Sequence, residues 1–363
     1  MRDGLSLNTT PVLTAASVGA PVIEIGADGR SVAAFAENGA VVVRHWNGSA
    51  WLDIGTALGN GVAETVSLAI DSTGAPVVAW DEQDTTTFNR NVSVARWNGT
   101  AWVALGGPFV DIELTADAHS PSIRARSADL ALAWAEVSPL GEWRVVVRTW
   151  NGTNWVSPGS ADALTSTAST IAAPQLAVGP ADELGVVWLD DLSNAQVAEF
   201  LFGAIWTRTA APLPSIVSSA DIAYTAAEGL IVAAQPTTGV IVRRWQGGAW
   251  SDLGTLHGDD GGVRSIRSLA FSHNRTGAMP LLAYSRRHRI GGNENEFIVE
   301  RFSGTDWARV GGAIPAIDRH GSGGFEVWVG VADALQPSVV TVVFSSLPNT
   351  ASRDESIVAY RFR

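Results

Sequence analysis

A short phrase recurs along the whole chain and consists of an aromatic residue, a turn-forming pair and a second aromatic residue. The clearest copies are Trp46-Asn47-Gly48-Ser49-Ala50-Trp51, Trp97-Asn98-Gly99-Thr100-Ala101-Trp102 and Trp150-Asn151-Gly152-Thr153-Asn154-Trp155, and weaker copies end at Trp206, Trp250 and Trp307. Consecutive copies lie about 50 residues apart, a spacing typical of solenoids, propellers and arrays. In such chains each repeat buries its apolar face only against its neighbours, so the repeat constrains the architecture more than any single motif does.

Each phrase predicts a β-hairpin, because Asn-Gly between two extended runs favours a type I′ turn. With Asn47 and Gly48 at the turn centre, Arg44 would face Trp51 and its guanidinium would lie on the indole ring. The same register pairs Arg148 with Trp155 and Arg243 with Trp250.

Two further strands are predicted upstream of each hairpin. The second repeat shows them best, with Ser67 to Asp71 and Pro76 to Trp80 joined by the turn Ser72-Thr73-Gly74. Units of four short strands and about 40 to 50 residues are typical of propeller blades. Seven such units are counted, so the sequence predicts an all-β, seven-bladed β-propeller that occupies residues 1–363 as a single domain.

The last unit, at about residues 325–363, lacks a fourth strand. Leu5-Ser6-Leu7-Asn8 stands before the first unit where a fourth strand belongs. A strand at about residues 4–9 is therefore expected to complete the last blade by pairing, which would close the ring and leave no open sheet edge.

Composition excludes several classes of function. The net charge of −12 argues against a nucleic-acid partner held through phosphate contacts. The chain has no Cys, which rules out disulfides, thiolate nucleophiles and cysteine metal sites. No apolar run approaches membrane length, so membrane insertion is not expected. A monomer at the cell surface or outside the cell is expected, with no signal peptide visible in this chain.

The stretch from Leu68 to Gly106 carries a resemblance. Its patterns, Leu-Ala-x-Asp-x-x-Gly-x-Pro-Val-Val-Ala-Trp and Val-x-Val-x-Arg-Trp-Asn-Gly-Thr-Ala-Trp-Val-x-Leu-Gly, resemble repeats of large bacterial secreted and surface proteins, which are similar to kelch and sialidase-type propellers. The turn Asp71-Ser72-Thr73-Gly74 is similar to the structural Asp-box turn of sialidases. The resemblance implies the blade fold, whereas the arginine triad and Tyr nucleophile of a sialidase are not recognised.

In a propeller, the connections between the second and third strands and those between blades share one face. Here these connections are long and varied, and such loops on a rigid scaffold commonly carry function. Trp143 lies in one of them, and an indole ring suits stacking on a sugar; the alternative is that Trp143 begins a strand and packs. The other predicted ligand-binding residues are Asp81, Glu82, Asp190, Asp191, Arg286, Arg287 and His288.

Two further sites are considered. Three His residues lie within three residues of an Asp, which suggests a metal site for Ca or Zn. The alternative is that they are solvated loop residues, and no cofactor is then expected. Its residues are His119, His257, His320, Asp117, Asp259 and Asp318. Glu24, Arg124 and Trp328 are aligned at an inward position that is mostly Ala in other repeats. They would line the channel, where they satisfy each other or form a small-anion pocket.

The absence of a recognisable reaction set leads us to expect a non-enzymatic recognition module that binds a glycan or a protein through its loop-rich face, and to lean against an enzyme. The alternative is a polysaccharide hydrolase or lyase at the channel mouth, with acid and base drawn from Asp81, Glu136, Asp190 or His119. A third possibility is a structural scaffold without a ligand.

Overall fold

The structure is a computed structural model that describes residues 10–15, 20–107, 109, 117–137, 140–159, 163–165, 172–200, 206–209, 216–236, 239–254, 256, 266–272, 279–287, 295–311, 314–315, 329–335, 338–346 and 355–362. Within these ranges the regular elements are β-strands, beginning with β1 (Thr10–Ala15). They include no helix that is long and apolar enough to cross a membrane.

Six blades follow β1, and in each of them four antiparallel strands pair in sequence order. The first three blades are β2 (Val22–Ile25), β3 (Ser31–Glu37), β4 (Ala40–Trp46) and β5 (Trp51–Asp53); β6 (Val62–Ile70), β7 (Pro76–Gln83), β8 (Arg90–Trp97) and β9 (Trp102–Ala104); and β10 (Asp117–Ala125), β11 (Leu130–Val137), β12 (Trp143–Trp150) and β13 (Trp155–Val156), with β14 (Ala163–Thr165) added on β12. The next three are β15 (Ala172–Val178), β16 (Leu184–Leu189), β17 (Ala195–Phe200) and β18 (Trp206–Arg208); β19 (Val217–Thr225), β20 (Gly229–Pro236), β21 (Ile241–Gln246) and β22 (Ala249–Asp252); and β23 (Ile266–Phe271), β24 (Leu281–Arg287), β25 (Asn295–Phe302) and β26 (Trp307–Arg309), with β27 (Ile314–Pro315) added on β25.

A further sheet joins the two ends of the described chain. It has the order β1-β30-β29-β28, where the last three strands are β28 (Val329–Leu335), β29 (Ser338–Ser346) and β30 (Glu355–Phe362). Thr10 pairs with Ala359 and Ala15 with Glu355. The closing strand expected at residues 4–9 lies outside the described residues, and the strand that pairs with β30 is β1.

The first strand of each blade lies innermost. Each of these strands contacts the next from β2 to β23, and β28 contacts both β23 and β2, so the first strands surround a common axis. The coarser prediction, an all-β propeller with four antiparallel strands per blade, is confirmed.

Hydrogen bonds link the inner strands of neighbouring blades at equivalent positions. The Ser67 hydroxyl accepts the Ile123 N–H at 3.0 Å, and the Ser122 hydroxyl accepts the Leu176 N–H at 3.0 Å. The Asp221 carboxylate accepts the Phe271 N–H at 2.7 Å. The side-chain oxygens and the N–H groups of these bonds are buried. Each bond therefore gives a partner to a backbone N–H that does not pair within its own sheet.

The core lies between adjacent blades. Large aromatic side chains recur at one equivalent position of the second strand in five blades, and all of them are buried: Phe35, Trp80, Trp134, Trp188 and Tyr284. Burying a large aromatic side chain at this position in successive blades lets each sheet stabilise the next.

The repeated hairpin differs from the predicted register. Trp46 faces Trp51, with ring centroids 5.8 Å apart. Arg44 faces Asp53, and its Nε lies 2.7 Å from Asp53 Oδ1. The reason is the Asn47 carboxamide, whose Oδ1 accepts the backbone N–H of Ser49 and Ala50 and so stabilises a four-residue loop. The predicted register, with Arg directly opposite Trp, is therefore wrong. The same shift places Arg148 on Ser157 and Arg243 on Asp252.

Candidate functional site at the channel mouth

Charged and aromatic side chains of the second and third blades meet where their inner strands begin. We call Glu64, Asp81, Arg90, Asp117, His119 and Trp143 the mouth cluster. The sequence predicted four of its members, Asp81, Asp117, His119 and Trp143, but for different purposes. It did not single out Glu64 or Arg90, because only the pairing of the two blades brings them to His119.

Asp81 is the buried residue of the mouth cluster that connects the two blades. Only 2 % of its surface is exposed. Oδ1 accepts the Thr65 N–H at 2.9 Å, and Oδ2 accepts the Ser120 N–H of the next blade at 2.8 Å. The Arg90 guanidinium lies 3.4 Å from Oδ1. One carboxylate thus fixes irregular backbone in two blades, which makes Asp81 a positioning residue.

A β-bulge in β10 sets the direction of the His119 side chain. The pairing with β11 shifts between His119 and Ser122, and Ser120 has a φ of 53°, in the left-handed region that non-glycine residues rarely adopt. Bulges commonly redirect a side chain beside an active site. The imidazole stacks on the Trp143 indole, with ring centroids 5.8 Å apart and 29° between the planes.

Burial controls the charge of His119. Desolvation lowers the pKa of the imidazole below its usual value, and Asp81 and Asp117 oppose this shift only in part. The ring is therefore neutral at neutral pH, which leaves it one donor and one acceptor nitrogen.

Two carboxylates, Glu64 and Asp117, lie close enough to the imidazole to influence its charge. Glu64 forms an ion pair with Arg90, and 65 % of its side chain is exposed. Asp117 accepts the Arg90 backbone N–H at 2.8 Å through Oδ1 and is half-buried. Arg90 thus touches both residues, with its guanidinium on one and its backbone on the other.

Trp143 begins strand β12, as the alternative interpretation expected. It is half-buried and packs against the apolar core between the third and fourth blades. One side of the residue is therefore structural, and its ligand-binding role stays a prediction.

The other predicted ligand-binding residues have varied environments. Glu82 accepts the N–H groups of Asn60 and Gly61 at 2.8 and 3.0 Å, and Asp190 accepts those of Leu192 and Asn194 at 3.0 and 2.9 Å. Both carboxylates thus order loops. Asp191 is exposed. Arg286 and Arg287 belong to β24, and His288 lies outside the described residues.

The predicted metal site is described only in part. His257, Asp259, Asp318 and His320 lie outside the described residues. In the part of the chain that is described, His, Asp and Glu form no group of three or more that could hold a metal ion. A Ca or Zn site stays a prediction.

The channel holds a separate charged group, Glu24, Arg124 and Asp221, which we call the channel cluster. Burial raises the pKa of Glu24 to about 7 and that of Asp221 to about 6, while Arg124 opposes both shifts. Glu24 and Arg124 are the penultimate residues of their strands, so they lie away from the mouth cluster.

Glu24 and Arg124 occupy equivalent register positions, opposite Val32 and Ala131, but Trp328 is not their counterpart in the last sheet. The register pairs Ala332 with Thr341, three residues before Phe344, which makes Ala332 the counterpart of Glu24. Trp328 lies outside the described residues. Asp221 was missed because its counterparts in two other blades are the uncharged Ser67 and Ser122, which bond the next blade in the same way.

No protein-family model matches the chain. No curated protein matches it either. Solved structures do: an α-L-arabinofuranosidase of Fusarium graminearum, in complex with an iminosugar inhibitor, is 11% identical, with a TM-score of 0.53 over 95% of this chain and 93% of that one. A protein of unknown function from Dyadobacter fermentans is 11% identical, with a TM-score of 0.55 over 99% and 100%. A Penicillium chrysogenum α-L-arabinanase is 12% identical, with a TM-score of 0.50 over 82% and 98%.

At these identities the likeness shows the propeller fold. The main functional expectation, a non-enzymatic recognition module, is nevertheless wrong in view of these matches, because similar solved propellers are glycoside hydrolases. It rested on finding no reaction set in the sequence, but residues of two blades that meet only after folding leave no local motif to find.

Proposed function

We propose that this protein is a glycoside hydrolase that cleaves a polysaccharide at the mouth cluster. The observation that carries the proposal is the meeting of two carboxylates, a neutral imidazole and an indole ring at one end of the inner strands. Propellers host many activities, so the fold alone would not suffice. The glycosidases among similar solved structures support this chemistry and suggest arabinan as the first polymer to test.

Glycoside hydrolysis needs two carboxyl groups on either side of the scissile bond. We assign Asp117 as the proton donor to the leaving oxygen and Glu64 as the base or nucleophile at the anomeric carbon. The glycosidic C–O bond breaks, and the proton of Asp117 passes to the leaving oxygen. Water supplies the hydroxyl group that ends on the anomeric carbon, and its other proton passes to Glu64 if Glu64 is the base, or back to Asp117 if Glu64 is the nucleophile. Trp143 offers its ring to one face of the sugar, and His119 hydrogen-bonds a hydroxyl group.

The test is release of reducing ends from a panel of polysaccharides, with arabinan first. Asp117→Asn retains an acceptor for the Arg90 N–H but removes the transferable proton, and Glu64→Gln removes the charge. We expect each variant to lose activity by about 100-fold or more. Asp129→Asn is the matched control, because Asp129 pairs with Arg126 at the opposite end of the same blade and should retain full activity.

Activity within twofold of the wild type in both mouth variants would refute the assignment. Loss of activity in Glu24→Gln, with the mouth variants active, would move the chemistry to the channel cluster. Thermal unfolding of each variant separates a loss of catalysis from a loss of fold.

We also propose that the sheet of β1, β28, β29 and β30 is a seventh blade and that the chain is one closed domain. The pairing of β1 with β30 and the contacts of β28 with β2 and β23 support this proposal. An extracellular or cell-surface location agrees with a polysaccharide substrate and stays a prediction.

A further inference from the structure

Among the described residues, six of the eight exposed large apolar side chains fall into two groups, and Val62 and Ile216 belong to neither. Leu52, Val103 and Val156 occupy equivalent positions in the outermost strands and are 39 to 44 % exposed. Phe88, Leu140 and Leu192 are 69, 87 and 68 % exposed, and each belongs to the loop between the second and third strands of its blade. These three loops follow one another in the second, third and fourth blades, on the face that carries the mouth cluster.

Hydrogen bonds order the turns that present Phe88 and Leu192. Phe88 has a φ of 61°, its N–H bonds the Asp84 carbonyl at 2.9 Å, and its own carbonyl accepts the Gln83 side-chain amide at 2.9 Å. A left-handed conformation of a bulky residue costs about 1 to 2 kcal/mol, so its retention at an exposed tip points to a use.

In the other two loops the left-handed residue follows the apolar side chain. Leu140 precedes Gly141, whose φ is 81°, and Leu192 precedes Ser193, whose φ is 58°. The Leu192 N–H is held by the Asp190 carboxylate at 3.0 Å.

Each tip also carries a carboxylate. Asp84 stands beside Phe88, and backbone hydrogen bonds from Thr87 and Thr86 hold the pKa of Asp84 below its usual value, so this group is ionised. Glu142 follows Leu140 closely, Asp191 precedes Leu192, and both are exposed. One apolar side chain and one acidic group thus recur in three consecutive loops, which we call the tip array.

We propose that the tip array binds successive units of a neutral polysaccharide chain and leads that chain to the mouth cluster. A sugar ring has an apolar C–H face and hydroxyl donors, which match an apolar side chain and a carboxylate acceptor. Subsites that recur from blade to blade suit a ligand that is itself a repeat. The net charge of −12 and the acidic tips repel an anionic polymer, which selects a neutral one. The inference rests on the proposed function for its substrate class.

Binding is measured by affinity electrophoresis in gels that contain linear arabinan or polygalacturonate. The Asp117→Asn background keeps the polymer intact, so binding is read without cleavage. Phe88→Ser, Leu140→Ser and Leu192→Ser are made singly and together, with Leu52→Ser as the matched control at an exposed apolar position of an outer strand. We expect each tip variant to weaken arabinan binding by about fivefold, which corresponds to the loss of roughly 1 kcal/mol of apolar contact. The control should bind like the background, and polygalacturonate should not bind.

Equal binding by the triple variant and Leu52→Ser, no binding of arabinan at all, or tight binding of polygalacturonate would each overturn the proposal. Self-association that the triple variant loses would assign the array to a second copy of the chain instead. If the tip variants weaken binding while no polymer is cleaved, the array stands and the hydrolase fails. If arabinan is cleaved and the triple variant leaves KM unchanged, the hydrolase stands and the array fails.

Discussion

The environment of Glu24 destabilises the ionised form of its carboxyl group. Glu24 is partly buried in the channel, and the attraction of Arg124 recovers only part of the lost hydration. Its pKa is raised from 4.5 to about 7, so the folded protein holds a proton that the unfolded chain releases between these values. Stability contributed by this group is therefore full below about pH 4.5, falls as the pH rises and reaches its minimum above pH 7.

Replacing Glu24 by Gln should remove this pH dependence. We expect the wild type to lose about 2 kcal/mol more of unfolding free energy than Glu24→Gln between pH 5 and pH 8, because this window covers most of the shift. Urea unfolding at the two pH values measures the difference. Asp28→Asn, at the exposed turn after the same strand, should follow the wild type. Equal slopes for wild type and Glu24→Gln would show that the carboxyl group is hydrated.

Single residues also mark how far the sequence could be interpreted. Trp143 and His119 were singled out as loop residues, and the structure brings their rings together across β11. Asp81 was taken for a ligand contact, yet it is almost fully buried. Its hydrogen-bond partners Thr65 and Ser120 lie 16 and 39 residues away in the sequence, so no local pattern predicts these contacts.

The repeated hairpin shows at the scale of the element what a turn motif does and does not decide. Asn-Gly correctly predicted that two strands reverse at this point. The register depended on the Asn carboxamide, which holds a four-residue loop in three copies. The copy with Gly247 and Gly248, where both residues have positive φ, closes in two residues instead, with Gln246 facing Ala249. In both cases the two Trp residues face each other, so this aromatic pair is the common feature of the copies.

The bonds between inner strands are a second element-scale feature. In Ser122→Ala the buried Leu176 N–H loses its acceptor, so we expect a loss of about 1 to 3 kcal/mol of unfolding free energy. Chemical denaturation measures it. Ser49→Ala removes a hydroxyl group from an exposed hairpin loop and should change stability by less than about 0.5 kcal/mol. A similar small effect for Ser122→Ala would mean that water replaces the hydroxyl group.

The number of strands per blade and the propeller class followed from the repeat, because periodicity survives local errors of register. The closing strand was expected at residues 4–9, which lie outside the described residues, so its position there stays a prediction. The described strand that pairs with β30 is β1, from Thr10 to Ala15. Pairing between ends of the chain depends on contacts that sequence spacing does not encode.

Two truncations test the closure of the whole molecule. Removing residues 1–15 deletes β1 and exposes one edge of β30, so we expect the melting temperature to fall by about 5 °C or more. Removing residues 1–9 leaves β1 in place and should have a clearly smaller effect. If the shorter deletion already produces the full loss, residues 1–9 close the ring, and if neither matters, the pairing of β1 with β30 contributes little. Calorimetric scans of both proteins at equal concentration give the answer.

Because β1 pairs with β30, the last sheet cannot form until the end of the chain has been synthesised. The ribosome synthesises β1 early, from Thr10, whereas the partner strand β30 begins only at Glu355. At about 5 to 20 residues per second, β1 waits roughly 20 to 70 seconds with an open pairing edge. All other blades can form as they emerge, so during this interval a nascent chain is most exposed to pairing with another copy of itself.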